Sequence, residues 1–337
     1  MTQELLPLDP VDSDPLLANL RLALVPGVGP VTRQALLERF GSAEAVLAAA
    51  PSQLREVAGV GTTLARKIVA ANDEVDAERE LNLCREHGVT ILADTDPLYP
   101  RLLREIHNPP AFLFVHGEVK SEDALAVAIV GTRHASTYGR QQAERLAAGL
   151  ARAGLTIVSG LARGIDAAAH RAALQAGGRT LAVLGSGVLN IYPPEHQGLA
   201  DEIRACGALI SENPPMSEPV SGAFPQRNRL ISGLSLGVIV VEAAERSGAL
   251  ITARHAMEQG REVFAVPGRV DSRTSRGCHR LIRDGAKLVE CVEDVLDEFG
   301  PLVEASGLPV QRVLATVSVL EMRSLIRRVS GNSVMRR

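Results

Sequence analysis

The chain has 337 residues, 46% of them apolar, which is material for about two or three domains that need no disulfide staples. Its four cysteines, Cys84, Cys206, Cys278 and Cys291, include no close pair, which argues against a disulfide framework or a zinc ribbon and predicts a reducing, cytoplasmic setting. The net charge of −3 excludes a uniformly basic coat, no apolar run reaches the roughly 20 residues of a bilayer span, and the start, followed by Asp9, Asp12 and Asp14, does not read as an export signal.

After the Pro- and Asp-rich lead-in, residues 16–72 read as short helices separated by two Gly-x-Gly turns, Pro26-Gly27-Val28-Gly29 and Ala58-Gly59-Val60-Gly61. Each looks like a helix-hairpin-helix turn, where glycines let backbone amides at a helix start approach a phosphate. Arg66 and Lys67 follow the second turn and make it the better candidate for contact; the first is followed by Arg33 and Arg39. The same glycines also serve tight packing in a scaffold, and both readings stand.

Residues 75–120 read as a connector with a charged helical stretch and two short strands, 89–92 and 112–115, that extends the sheet to come. From Ala126 onward, short apolar runs alternate with helical patterns, as in a parallel sheet buried on both faces. Strands are predicted at 127–130, 156–158, 180–184, 208–210, 238–241 and 263–266, and helices at 138–153, 167–176, 196–206, 227–234 and 251–259. The tail reads as a helix over 310–322 and a hairpin-like alternation over 326–334, a pattern that resembles a winged helix without its first part. The predicted fold is therefore an α/β chain: an extended Rossmann-like doubly wound sheet (76–298), a small all-α helix-hairpin-helix (SAM-like) domain (1–75) and a short winged-helix-like C-terminal domain (299–337).

Ligands of such sheets lie outside the carboxyl ends of the strands. The residues there are Gly131-Thr132-Arg133, then Ser159-Gly160 with Arg163, Gly185-Ser186-Gly187, Ser211-Glu212, Glu242 with Ser247-Gly248, and Pro267-Gly268. Four of these loops offer amides, hydroxyls and helix starts, and Arg133 and Arg163 add charge, so the expected ligand bears phosphate. Glycines at strand ends are also routine turn residues, and an intramolecular ion pair, with Asp166 for example, is the alternative use of these arginines. His170, on an Ala-rich helix, is expected to be packed rather than catalytic.

Absences narrow the ligand. None of the three lysines, Lys67, Lys120 and Lys287, stands in a P-loop, Gly-x-Gly-x-x-Gly is missing, and no Cys-x-x-Cys or His-Glu-x-x-His occurs. No ATP motor, cofactor, metal or catalytic set is therefore expected. With only 3% aromatic residues and no Trp, phosphate contacts are expected to outweigh base stacking. Residues 121–290 hold 19 Lys+Arg against 16 Asp+Glu, so that region is locally positive within an acidic chain.

Several ordered blocks together carry a resemblance: Ile129-Val130-Gly131-Thr132-Arg133 with Tyr138-Gly139, the run SGLARGIDAAAH from Ser159 to His170, Phe224-Pro225 with Arg227-Asn228-Arg229, Val241-Glu242-Ala243, the run SGALITA from Ser247 to Ala253, and Val266-Pro267-Gly268. The chain resembles the bacterial DNA processing protein A family (DprA, also called Smf) over nearly its whole length. The resemblance implies a non-enzymatic protein that binds single-stranded DNA during natural transformation, protects it and loads the recombinase RecA onto it. It implies a homodimer formed through the Rossmann-like domain and makes Arg133 the DNA-pocket residue, with the loops around Arg163 and Arg227-Asn228-Arg229 beside it. A weaker duplex contact through the helix-hairpin-helix or C-terminal domain is a further expectation.

Two positions depart from the pattern: Tyr192-Pro193 is followed by Pro194 where some relatives carry a basic residue, and Gly277 by Cys278 where relatives have Asn. Two other functions compete. A nucleotide hydrolase of related fold would need a Pro-Gly-Gly-x-Gly-Thr loop, but Pro267-Gly268 continues as Arg269-Val270-Asp271, leaving Glu242 as the one acid to serve it. A duplex-reading regulator would use helix 310–322, which offers only Arg312.

Overall fold

A computed structural model describes residues 15–299 and the backbone of 326–329 and 333–336. A first unit, ending at His87, contains α1 (Pro15–Leu24), α2 (Pro30–Phe40), α3 (Ala43–Leu47), α4 (Pro51–Leu54), α5 (Thr62–Glu74) and α6 (Ala77–Glu86). Both Gly-x-Gly turns are built alike: Gly27 and Gly59 hold φ of +104° and +84°, and Gly29 and Gly61 precede the first residues of α2 and α5. Val25, Val57 and Val60 beside them are buried with Leu36, Leu54 and Ile68. Lys67 does not stand free, because its Nζ donates to the Pro26 carbonyl of the first turn at 3.3 Å.

The second unit follows the predicted alternation: β1 (Val89–Ala93), α7 (Arg101–Arg104), β2 (Phe112–Gly117), β3 (Ala126–Val130), α8 (Thr137–Arg152), β4 (Thr156–Ser159), α9 (Ile165–Gln175), β5 (Thr180–Val183), α10 (Gln197–Cys206), β6 (Ala208–Ser211), α11 (Ala223–Gly233), β7 (Gly237–Val240), α12 (Gly248–Glu258), β8 (Glu262–Ala265), α13 (Arg276–Arg283), β9 (Lys287–Leu288) and α14 (Glu293–Phe299). Nine strands form one sheet in the order β1-β2-β6-β5-β4-β3-β7-β8-β9. The hairpin of β1 and β2 adds to β6 antiparallel, and all other neighbours are parallel. The connector thus extends the sheet as its two apolar runs predict.

Strand side chains alternate between faces, so Val127 and Ile129 pack with Leu146 and Leu150 of α8, Ala169 of α9 and Phe299 of α14. Ala128 and Val130 pack on the other face with Leu230 of α11, Ala253 of α12 and Leu281 of α13. Full burial of each large aliphatic side chain contributes about 1.5–3 kcal/mol, which explains why β3, buried at every position, reads as an unbroken apolar run.

Helix α11 starts at Ala223, four residues before the predicted 227, because Pro225 lies in the first turn, where its missing N–H has no partner to lose. Helix α13 and strand β9 escape the sequence pattern; one is arginine-rich with few apolar residues and the other has two residues. Strands β10 (Ile326–Val329) and β11 (Ser333–Arg336) pair antiparallel as a hairpin, while the helix expected at 310–322 lies outside the described residues.

Candidate nucleic-acid interface

The strand order reverses between β3 and β7, whose carboxyl ends open the crevice where doubly wound sheets hold nucleotides. Here Glu242 fills it. The carboxylate is buried and accepts hydrogen bonds from Ser136 N at 2.9 Å, Ser136 Oγ at 2.7 Å and Thr274 Oγ1 at 3.3 Å. Ser136 in turn caps α8, its Oγ accepting from Gly139 N. Gly139 has to lack a side chain, since a Cβ there would stand 2.2 Å from Glu242 Oε2. A carboxylate at the start of α8 thus occupies the place a bound phosphate would take.

The β4–α9 loop is closed in the same way. Buried Asp166 accepts from the amides of Gly160 at 3.1 Å and Ala162 at 3.4 Å. Thr132 N donates to Glu242 O and Gly187 N to Ser217 O, so these two backbone donors are also engaged inside the protein. Two carboxylates and two carbonyls thus engage the amides of Ser136, Gly160, Ala162, Thr132 and Gly187, because an unpaired amide at such depth is costly. Ser159 and Ser186 are buried too, with Ser159 Oγ donating to Ile129 O at 2.6 Å.

Arg227 is likewise drawn inside. Only 5% exposed, it donates through Nη1 to Val183 O beneath the β4–α9 loop, and a Cβ at Gly160 would meet that guanidinium at 2.1 Å. Burial pushes Arg227 down to about 10, with the Asp166 charge opposing and Arg133 adding to the shift. Burial raises Asp166, against the pull of Arg227 and of the two amides. Arg229 is half-buried on Glu212 and on Asn108 O at 3.0 Å, and Asn228 Nδ2 donates to Gly248 O at 3.2 Å beside the Ser247 cap of α12. In this conformation Arg227 and Arg229 therefore act on the framework.

The positive charge that faces solvent lies elsewhere. An open cleft of about 480 Å³ is bordered by Arg133 and His134 of the β3–α8 loop, Arg140 of α8, Arg163 of the β4–α9 loop, Arg171 of α9 and the buried His196. Glu144 is the one acid on its rim. Arg163 pairs not with Asp166 but with exposed Glu195, in the turn that Pro194 begins. Arg140 donates to the neutral carbonyl Ala135 O at 2.7 Å. Arg133 is exposed and lies 5.3 Å from the centroid of Phe224, a cation–π contact. Phe224 also meets Tyr192 at 5.8 Å and lies against Gly185, so Gly185 joins this site through an aromatic pair.

Sequence reasoning did not identify Arg140, Arg171, Phe224 and Tyr192 as site residues. Arg140 and Arg171 were legible only as solvated helix positions, and low aromatic content hid two rings that the fold brings together. The second departure, Cys278, is a core residue: its thiol donates to Val240 O at 3.5 Å, and burial pushes it up to about 12. His170 is fully buried, with Nδ1 2.7 Å from Thr180 Oγ1. Among the described residues no cluster of three or more His, Cys, Asp or Glu side chains could hold a metal, and no helix is long and apolar enough to cross a membrane.

The chain is similar to known proteins. The sequence model of the family described as DNA recombination-mediator protein A matches residues 90–300, and that of a SAM-like helix-hairpin-helix tandem matches residues 20–72. Protein Smf of Synechocystis sp. is 40% identical over 282 residues, covering 82% of this chain and 71% of the relative. DNA processing protein DprA of Bacillus subtilis is 45% identical over 222 residues, covering 66% and 75%. The X-ray structure of DNA processing protein A from Streptococcus pneumoniae superposes with a TM-score of 0.73 at 36% identity, over 85% of this chain and 98% of that one. The Helicobacter pylori protein, whose structure concerns its single-stranded DNA binding mode, gives 0.56 at 31% identity, over 62% and 94%.

Proposed function

Because the chain belongs to the DNA recombination-mediator protein A family, we propose that its arginine-bordered cleft binds the backbone of single-stranded DNA, without ATP and without chemistry on the strand. The observation that carries this reading is the contrast within one site: the nucleotide crevice is filled by Glu242, while Arg133, Arg140 and Arg171 face solvent a loop away. Arginine's planar, permanently charged fork matches a phosphate. The Phe224 and Tyr192 rings beside Arg133 offer a base an apolar face.

Of the residues singled out in the sequence, Arg133, Arg163, Thr132 and Gly131 form the contact surface, and Ser247, Gly248 and Asn228 extend it along α11 and α12. Ser159, Gly160, Gly185, Ser186, Gly187, Arg227 and Arg229 hold the loops in place. Glu242 has both oxygens engaged, which weighs against the hydrolase reading. In the cell the bound strand is DNA taken up in natural transformation, and the protein protects it and loads RecA onto it. Two copies joined through the Rossmann-like unit would raise the grip by effective concentration.

Gel shifts with single- and double-stranded oligonucleotides, at two salt concentrations, test the reading. The expected result is a preference for the single strand that weakens with salt, and an Arg133→Ala protein that binds at least about tenfold more weakly. Equal binding by wild type and Arg133→Ala would place the site elsewhere.

A further inference from the structure

His196 borders the arginine cleft from its buried side, closing the turn Pro194–His196 that leads into α10. Its ring is held at one end. Nδ1 lies 2.8 Å from the carbonyl oxygen of Leu161, which can only accept, so Nδ1 carries a hydrogen and donates. Leu161 calls for such an anchor, being a buried leucine of the β4–α9 loop at φ +56°, in the left-handed region. With Nδ1 engaged, Nε2 is the ring's remaining polar atom. It meets no hydrogen-bond partner among the described residues and, unlike Nε2 of His170, is not sealed away from solvent.

The charges around this ring set what Nε2 can do. On the cleft side Arg133 comes from the β3–α8 loop, Arg140 from α8, Arg163 from the β4–α9 loop and Arg171 from α9. Against them stand two exposed acids, Glu144 of α8 and Glu195 of the ring's own turn, the second already paired with Arg163. Beneath the loop, buried Asp166 and Arg227 act on each other. The cleft therefore draws phosphate. A phosphate that enters it favours the protonated form of a neighbouring histidine, the side chain whose charge changes between about pH 5 and 8.

Two other imidazoles are near, and neither fills this role. His170 is fully buried; burial, and after it the charge of His196, hold it down at about 3. His134 is exposed on the rim, where its backbone amide is fixed on Thr132 Oγ1 at 3.2 Å but its ring has no hydrogen bond among the described residues. Ordering that free ring on a phosphate costs side-chain entropy that the anchored ring of His196 has already lost.

We infer that His196 is a proton-coupled contact for the strand: anchored through Nδ1 on Leu161 O, it takes a proton from solvent at Nε2 as a phosphate arrives and donates that hydrogen to a phosphate oxygen. The inference rests on the single-stranded DNA reading above. Binding then takes up as much as one proton, and affinity rises as pH falls, by at most about tenfold per pH unit.

Calorimetric titration of the full chain with an oligothymidylate at about pH 7, in two buffers of different ionisation enthalpy, counts that proton. Fluorescence anisotropy from about pH 6 to about pH 8 follows its effect on affinity. The wild type should take up a measurable fraction of a proton and bind about threefold or more tightly at the acid end. In His196→Asn the amide Nδ2 can still donate to Leu161 O but nothing stands in for Nε2, so proton uptake should vanish and binding should weaken most at low pH. His134→Asn should retain the wild-type uptake. The count on the wild type needs no variant, so a variant that fails to fold leaves the test standing. No uptake by the wild type, uptake unchanged in His196→Asn, or uptake lost in His134→Asn instead overturns the inference and leaves the single-stranded DNA reading intact. Failure of the wild type to bind the strand at any pH overturns that reading.

Discussion

At the amino edge of the sheet, Arg179 donates to both oxygens of Asp123, at 2.9 and 2.8 Å, and to the carbonyls of Cys206 and Glu118. Thr156 Oγ1 and Lys120 N complete the carboxylate, whose side chain is 4% exposed. At the carboxyl edge, Arg133 has a ring beneath it and Arg171 borders an open cleft. Arginine is the same group in both places. Where a buried carboxylate meets it with matched hydrogen bonds it joins elements of the fold, and where the buried carboxylates are turned to amides it is left for an external anion.

The largest expected effect tests the amino edge. Arg179→Ala leaves Asp123 buried without its cation and should cost about 3–5 kcal/mol of stability by urea denaturation, with single-strand affinity of the remaining folded protein unchanged. Next to it, His170 sharpens the comparison through pH. Thr180 Oγ1 donates to Ile157 O, so His170 Nδ1 donates to that hydroxyl, and among the described residues buried Nε2 meets no hydrogen-bond partner. Burial, with smaller contributions from His196, Arg227 and Arg171, holds the imidazole down at about 3 against an ordinary 6.5. The folded state therefore refuses a proton that the unfolded chain accepts. This contribution to stability is whole above about 6.5 and is lost as pH falls toward 3. The urea midpoint should drop over that window, and less steeply in His170→Gln.

The carboxyl edge should show the reverse pattern of effects. Arg140→Ala/Arg171→Ala should leave the melting temperature within a few degrees, since exposed substitutions stay within about 0.5 kcal/mol, and should lower single-strand affinity about tenfold in a titration. The smallest effect belongs to Glu195→Gln, which frees Arg163 and should tighten binding by about two- to threefold. Weaker binding on that change would mean that the Arg163–Glu195 pair itself shapes the contact.

The apolar runs announced six of the seven parallel strands to within a residue or two because strands buried on both faces admit little else, and the runs 89–92 and 112–115 announced the added hairpin. Helix α13 stayed hidden, since Cys278, Leu281 and the half-buried Ile282 are its few apolar residues packed on the core. The glycine loops lie at the carboxyl ends of the strands, as the pattern predicts, and several of their amides turn inward to buried acceptors. Nothing in Gly160 or Thr132 tells that Asp166 and Glu242 will reach their loops, for those contacts join residues remote in sequence or buried by packing.

The sequence by itself determined the order of strands and helices, the carboxyl-end position of the loops and the absence of ATP and dinucleotide fingerprints, all of which follow from local pattern. Only the tertiary structure decided which arginines are available. Arg133, Arg163, Arg227 and Arg229 look equivalent as letters, yet one rests on a ring, one pairs with Glu195 on the surface and two are drawn inward. That choice depends on where the packed chain sets its few buried carboxylates, because the free energy of a charge is fixed by its neighbours in space.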